Sequence, residues 1–443
     1  MKFSTEIVGQ AVQFLLEDWQ AQGLSLDDMD AETLERELQE GLQAVGAGLL
    51  QKLWEAQDAQ LHAQGVTCEH PKCQHSPMKR ISRREVQVIS LWGPVTYRRG
   101  EYVCSEGHRR AALDGQQGLQ PGQPTPHLEM LLGLSGAALP FQQSAGWVDT
   151  WLQVEISPNT VRRATHTLGK RQQEAEEAWY AQSEDQEAQR EREKALAERP
   201  RRVYASLDGG FVPVRKGQNK EENWREAKVV TWYREERPSG SDQRRVQDVA
   251  LYGTLEGKED FGKLFWASGY HYGADLAEEQ VVIADGAAWI WDLVQTYFPE
   301  AVQILDWTHA VEYLYEVHRA WSPEDEEARA QWLAEQKALL WEGEVEVVIA
   351  HCNLLAAAGG STAKAAATAA GYFQKHSHRM KYAYFREQGY FIGSGTVESG
   401  VKRLSSARMK IAGARWNRDG GELVIKARSV LLNHAWQSLP FAA

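Results

Sequence analysis

The chain has little cysteine, four residues in 443. That excludes a disulfide-stapled secreted scaffold. It lacks any apolar run of the ~18–20 residues needed to span a bilayer. Acidic side chains (Glu6, Glu17, Asp18) interrupt the start of the chain, where a secretory signal would be continuously apolar. The expectation is a cytoplasmic protein with no membrane anchor. Net positive charge is also missing: 49 Lys and Arg stand against 61 Asp and Glu, a formal charge of −12. Taken whole, that balance opposes nucleic-acid binding. Disorder of the whole chain is excluded too, because 43% hydrophobic and 25% charged residues are ordinary for a folded protein. At roughly 100–200 residues per domain, the length allows about two to four domains.

The average hides a strong asymmetry. Residues 1–66 carry twelve acids against three bases. Residues 72–110 carry nine Lys and Arg against three Glu, and residues 372–430 carry twelve against four. Basic patches hold phosphates whatever the global sum.

Six segments follow from pattern. Residues 1–66 read as acidic helices, with Leu34, Leu38, Leu42, Leu49, Leu50 and Leu53 at helical spacing. Residues 67–112 contain a hairpin: apolar and polar residues alternate on both sides of a Gly93-Pro94 turn signal. Residues 113–200 open on a Gly-, Gln- and Pro-rich linker and continue as helices and a charged connector. In SPNTVRRATHTLGKR, Ser157 is an N-cap with Pro158 at the first helical position. Arg162 and Arg163 then stand on the second helix of a helix-turn-helix candidate. Residues 201–310 show three strand-like runs, then two helices alternating with two more strands. The first three suit an antiparallel meander and the last two parallel pairing. This β-β-β-α-β-α-β order is that of a ribonuclease H-like domain. Residues 311–392 are helical and interrupt it, and residues 393–443 return to it. The expected class is α+β and multidomain: a ribonuclease H-like catalytic core with a helical insertion, preceded by a zinc-ribbon-like hairpin and helical DNA-binding segments.

Cys68 and Cys73 precede the hairpin, and Cys104 and His108 follow it. Two pairs of N/S ligands separated by a hairpin are how a zinc ribbon builds a closed tetrahedral structural site. His70 and His75 compete as ligands on spacing alone.

Asp208 follows the apolar run Val203–Leu207 and precedes Gly209-Gly210, and Asp285 follows Val281–Ala284 and precedes Gly286. A lone Asp-Gly is usually a strand-ending turn. Two carboxylates on neighbouring buried strands repel each other unless a cation sits between them. Glu398, in GSGTVESG, supplies a third acid if its helix packs beside those strands. Three such carboxylates suit two magnesium or manganese ions, and two-metal sites support in-line attack on phosphodiesters. Asp306 and His309 end the fifth strand, where the histidine can face the same pocket.

These residues resemble those of the bacterial insertion-sequence transposases with a DDE catalytic core, of the ISKra type within the Mutator-like group. The likeness rests on SLDGG (Asp208), VVIADGAAWIWDLV (Asp285), AVQILDWTHAVEYLYEV (Asp306, His309), GSGTVESGVKRLSSARMKIAGARW (Glu398 and the residues after it) and LWGPVTYRRGEYVC in the hairpin. It covers roughly residues 65–430. In Mutator-like enzymes an Asp/Cys-x-x-His motif follows the second aspartate, and Asp306 and His309 match it. The resemblance implies a DNA transposase that binds the terminal inverted repeats of its element and a target duplex. Strand cleavage and strand transfer would use magnesium at Asp208, Asp285 and Glu398. It implies a homodimer or higher oligomer, for which the acidic N-terminal helices are candidates, in the cytoplasm at the nucleoid. Glu387 is a second choice for the glutamate, although its basic aromatic context better suits DNA contact.

For DNA contact the sequence offers Arg162, Arg163, Lys381, Lys402, Arg403, Arg408, Lys410, Arg415 and Trp416. Tyr382, Tyr384, Phe385 and Tyr390 alternate with cations in KHSHRMKYAYFREQGY, as stacking on bases requires. Two rival readings stay open: a domesticated, non-catalytic DNA-binding protein, and a nuclease of the same fold that cleaves without strand transfer.

Overall fold

The computed structural model describes residues 5–21, 23, 30–195, 198–215, 223–236, 244–321, 326–393, 395 and 400–438. The chain divides into two compact units. The first takes residues up to Gly136 together with Pro140–Ala164, and the second takes Ala137–Leu139 and Thr165–Leu439. Among the described residues no helix is long and apolar enough to cross a membrane.

In the first unit, helices α1 (Thr5–Ala21) and α2 (Ala31–Gln64) precede an antiparallel hairpin of β1 (Lys79–Ser90) and β2 (Gly93–Val103). Asp30 caps α2 by accepting from the Thr33 N–H. The hairpin turns through Leu91-Trp92, and Gly93 takes φ +86°, a left-handed value that disfavours a β-carbon. Helix α2 lies on β2, with the Trp54 ring edge-on to Tyr97 at 5.1 Å. Buried Asp58 accepts from the Gly100 N–H at 2.8 Å. The opposite stripe of α2 leaves Leu38, Leu42, Val45, Leu49 and Leu53 exposed. The segment expected to be a linker is folded instead. Strand β3 (Arg109–Arg110) leads into α3 (Ala112–Gln117), which buries Leu113, and Asp114 accepts from the Tyr97 hydroxyl at 2.8 Å. Helices α4 (Pro126–Ala138), α5 (Phe141–Leu152) and the start of α6 (Pro158–Glu184) enclose a small core around Leu128, Leu132, Val148 and Val161. Ser157 caps α6 as expected: its hydroxyl accepts from the Thr160 N–H.

The second unit is built on a mixed five-stranded sheet in the order β6-β5-β4-β7-β8. Strands β4 (Arg202–Pro213), β5 (Trp224–Glu236) and β6 (Arg245–Thr254) are antiparallel, whereas β7 (Glu279–Ala284) and β8 (Val302–Leu305) run parallel to β4. The antiparallel meander of the first three strands and the parallel pairing of the later two are as expected. Residues 202–207 are buried without alternation, as a strand covered on both faces requires. On one face, Phe265 of α8 (Lys258–Tyr272) stacks on Trp232, whose indole N–H donates to Ser268. Each such fully buried aromatic contributes about 1.5–3 kcal/mol. Helix α9 (Ala288–Tyr297) adds Ile290 and Val294 to the same core.

On the other face lie a π-helical turn (Lys402–Ser406) and, at the C-terminal end, α15 (Arg418–Leu432). A β-carbon on Gly210 would come 2.5 Å from Val401, and one on Gly400 would come 2.5 Å from the Thr231 hydroxyl. Lys426 of α15 is buried between Glu176 of α6, at 2.6 Å, and Glu422, at 3.4 Å. Glu422 also accepts from Thr254 and from the Leu255 N–H. Removing one member of such a buried network costs about 3–5 kcal/mol.

Helices α7 (Gln186–Ala195), α10 (Trp307–Ala320), α11 (Glu326–Trp341), α12 (Val345–Ala358), α13 (Ala363–His376) and α14 (Tyr382–Glu387) complete this unit. Helix α7 buries nothing, as its charge pattern predicts. The Ala-rich α13 buries Ala366, Ala369 and Phe373 in the same core as the sheet.

Candidate active site and metal centre

Three aspartates stand side by side at one end of the parallel strands. The parallel register pairs Leu207 with Ala284, and Ala284 with Leu305. Asp208 is the next residue of β4, and Asp285 and Asp306 are the first residues after β7 and β8. The Asp306 N–H donates to the Ala284 carbonyl at 2.9 Å, which carries the ladder one step further. Asp208 is not at the end of its strand, contrary to expectation: β4 continues through Gly209 and Gly210 to Pro213, and Asp208 pairs with Val229. Its glycines serve close approach, since Val401 lies over Gly210 and Glu226 over Gly209.

Each acid is held differently. The Gly209 N–H donates to Asp208 at 2.6 Å. Burial, reinforced by the Asp285 charge and opposed by His309, pushes the Asp208 carboxyl up to about 6. Asp285 accepts from the Ala287 N–H at the start of α9, and its carbonyl accepts from the Trp291 indole, both at 2.8 Å. Asp306 is fully buried and caps α10 by accepting from the His309 N–H at 3.0 Å. The same oxygen lies 3.2 Å from His309 Nδ1. That bond, against the cost of burial, raises the imidazole to about 9. Asp306 therefore orients His309 while closing a helix end.

The insertion contributes residues that no local pattern marks. Tyr372 of α13 lies against Gly286, where a β-carbon would run into the tyrosine ring. Its ring stacks on Tyr313 of α10 at 3.8 Å. Both phenols are raised by burial and by the Asp285 charge. Glu398 lies outside the described residues. On either side of it in the chain, the Ile392 carbonyl accepts from the Trp307 N–H at 2.9 Å, and Gly400 packs on Thr231.

In the first unit, Cys68, Cys73, Cys104 and His108 converge, with their ligand atoms all within 4.8 Å of one another. Among the described residues no other group of three or more such side chains gathers this closely. The sulfurs of Cys73 and Cys104 are 3.8 Å apart, and His108 Nδ1 lies 3.1 Å and 3.5 Å from them. A tetrahedron with metal–sulfur arms of ~2.3 Å has edges of about 3.8 Å, so this quartet could hold a metal such as zinc. His70 stacks on His108 at 3.9 Å, with its Nδ1 facing the Lys72 N–H, and stays outside the set, as does His75. Burial and the neighbouring sulfurs push Cys73 up to about 12. At Cys104 burial is outweighed by donors from His108 and Glu106, which bring it down to about 7.

Of the residues expected to touch DNA, Arg162 and Arg163 are exposed on α6 in the first unit, and Arg162 is braced by Asn159. Lys381, Lys402, Arg403, Lys410 and Arg415 are exposed in the second. Arg408 is a correction: it is 2% exposed, 5.0 Å over the half-buried Trp416 ring, and burial brings it down to about 10. Tyr382 and Phe385 are likewise core residues, Tyr382 donating to the Leu305 carbonyl, and Tyr390 lies under Arg202. Of those four aromatic rings only Tyr384 stands exposed.

The chain matches no family model and no curated protein.

Proposed function

We propose that this chain is a metal-dependent DNA transposase with a ribonuclease H-like core. The observation that carries the reading is the row of Asp208, Asp285 and Asp306 one step beyond a shared parallel register. Asp208 and Asp285 form the acidic pair, and Glu398 is the third ligand. The docking of Ile392 at Trp307 and of Gly400 on the Asp208 face supports that choice. The charge of Asp285 on a largely buried Asp208 is the repulsion that a divalent cation relieves. Bound there, magnesium or manganese supplies Lewis-acid activation of a water or of a 3′-hydroxyl. Asp306 orients the ring and holds His309 as the imidazolium, so that Nε2–H is left to donate to a phosphate oxygen. The exposed cations Lys402, Arg403, Lys410 and Arg415 hold the duplex backbone.

The Cys68, Cys73, Cys104 and His108 site holds structural zinc in this reading. All four positions are filled by protein and none is left for water.

The test pairs manganese titration with cleavage of a supercoiled plasmid carrying the DNA that flanks this gene. Wild type should bind manganese and nick, and Asp208→Asn, Asp285→Ala and Glu398→Gln should lose both. Full cleavage by Asp285→Ala sinks the proposal. Transfer of a 3′-end to a target separates a transposase from a nuclease of the same fold.

A further inference from the structure

A second charged feature of the sheet lies at the end remote from the carboxylates. Arg202 opens β4, six residues before Asp208, about 20 Å along an extended strand. Around it is a cleft of about 750 Å³, a size that admits a nucleotide-sized group. Five arginines line it: Arg199, Arg201, Arg202, Arg234 and Arg244. Three glutamates, Glu198, Glu235 and Glu387, oppose them, so cations exceed anions by two.

The arginines are not equivalent. Arg202 is buried and consumed: it pairs with Glu235 and Glu279, donates to the Gly389 carbonyl, and lies over Tyr390. It forms the floor of the cleft. Arg199 is paired with Glu193. The other three keep donors. Arg201 is exposed and forms no ion pair with any described residue. Arg244, whose guanidinium lies on the Gly389 backbone, is 3.6 Å from Glu235, a carboxylate it shares with Arg202. Arg234 donates to the Tyr272 carbonyl at 3.3 Å and lies over that residue's ring, reaches Asp248 only at 3.9 Å, and keeps a buried Nε with no hydrogen-bond partner. A buried unpaired guanidinium N–H carries the full cost of desolvation, which an acceptor entering the cleft would remove.

We propose that this cleft binds phosphate oxyanions through Arg201, Arg234 and Arg244. Planar guanidinium forks that converge on a polar cavity match phosphate oxygens two at a time. The phosphate belongs to a nucleic-acid strand or to a free polyphosphate, and the chemistry is shared. This site is independent of the carboxylate reading.

The experiment uses the full chain with two probes, a short fluorescent DNA duplex and inorganic pyrophosphate. Two variants are compared with wild type, Arg201→Glu and Arg244→Ala, each checked for an unchanged fold by circular dichroism. Asp285→Asn is the control that disables the carboxylate pair and leaves the cleft intact. If the strand is the source, each arginine variant weakens duplex binding about tenfold and lowers the salt slope by about one, and Asp285→Asn still binds. If the source is free polyphosphate, pyrophosphate binding falls by the same factor while duplex binding stays unchanged. Folded variants that bind both probes as wild type does overturn the proposal, and so does a wild type that binds neither.

Discussion

Gly210 and Val401 meet so closely that a β-carbon at position 210 would stand 2.5 Å from the valine Cγ1. The two are 191 residues apart in the chain. The contact docks the C-terminal helical turn on the strand that carries Asp208. Bringing the segment after Glu398 onto that strand therefore depends on a missing side chain.

Gly210→Val should destabilise the second unit by about 1–3 kcal/mol, the usual cost of overpacking. Gly371→Ala is the counterpart: that glycine lies inside α13 with nothing within 4 Å of an added β-carbon. It should stabilise the same unit by about 0.5–1 kcal/mol. Urea denaturation of both variants decides. If Gly210→Val is as stable as wild type, the turn does not sit on the strand as described.

The metal quartet gives a second expectation. Elemental analysis should find one zinc per chain, lost in Cys73→Ser and kept in Cys352→Ser. Cys352 is buried in the second unit, and burial alone pushes its thiol up to about 12. The apolar cluster around the quartet is small, with Val66, Met78, Tyr102 and Ala112 beside the cysteines. Metal ligation then contributes a large share of local stability. Chelation should lower the unfolding temperature of the first unit and leave the second unchanged. Zinc retained by Cys73→Ser would remove the ligand assignment.

Much of this architecture is legible in the sequence because it is local. Alternation marks the hairpin, apolar runs mark β4, β7 and β8, and the spacing of Cys68, Cys73, Cys104 and His108 marks the quartet. What was not legible depends on distant partners. KYAYFREQGY looks like a solvated basic surface, yet Tyr382 and Phe385 are core residues because α14 packs under β8 and α10. Arg408 is one cation in a basic run, and only the fold sets it over Trp416. The Gly-, Gln- and Pro-rich stretch after the hairpin looks like a linker until Asp114 finds Tyr97 and Arg99. Tyr372 carries no local signal, because its role comes from docking beside Gly286.

The pairing of His309 with Asp306 makes a pH-dependent contribution whose direction is fixed. The imidazole rises from the ordinary value near 6.5 to about 9, first through its bond to Asp306 and against the cost of burial. The folded state thus holds this proton more tightly than the unfolded state. The stabilisation is fully present below about pH 6.5 and is lost as pH rises through about 9. In metal-free protein, the stability gap between wild type and His309→Gln should therefore be largest at mildly acidic pH and shrink towards pH values above 9. The N-cap is unaffected, because Asp306 accepts from the backbone of residue 309 whatever its side chain. Comparing the two proteins pH by pH cancels the titration of every group that His309 does not touch electrostatically; Asp208, which His309 holds down, is the exception. Urea midpoints across that range measure the gap, and a gap that stays constant means the histidine is not held by Asp306. Added manganese should narrow it as well, since a cation beside Asp285 opposes the charged imidazole.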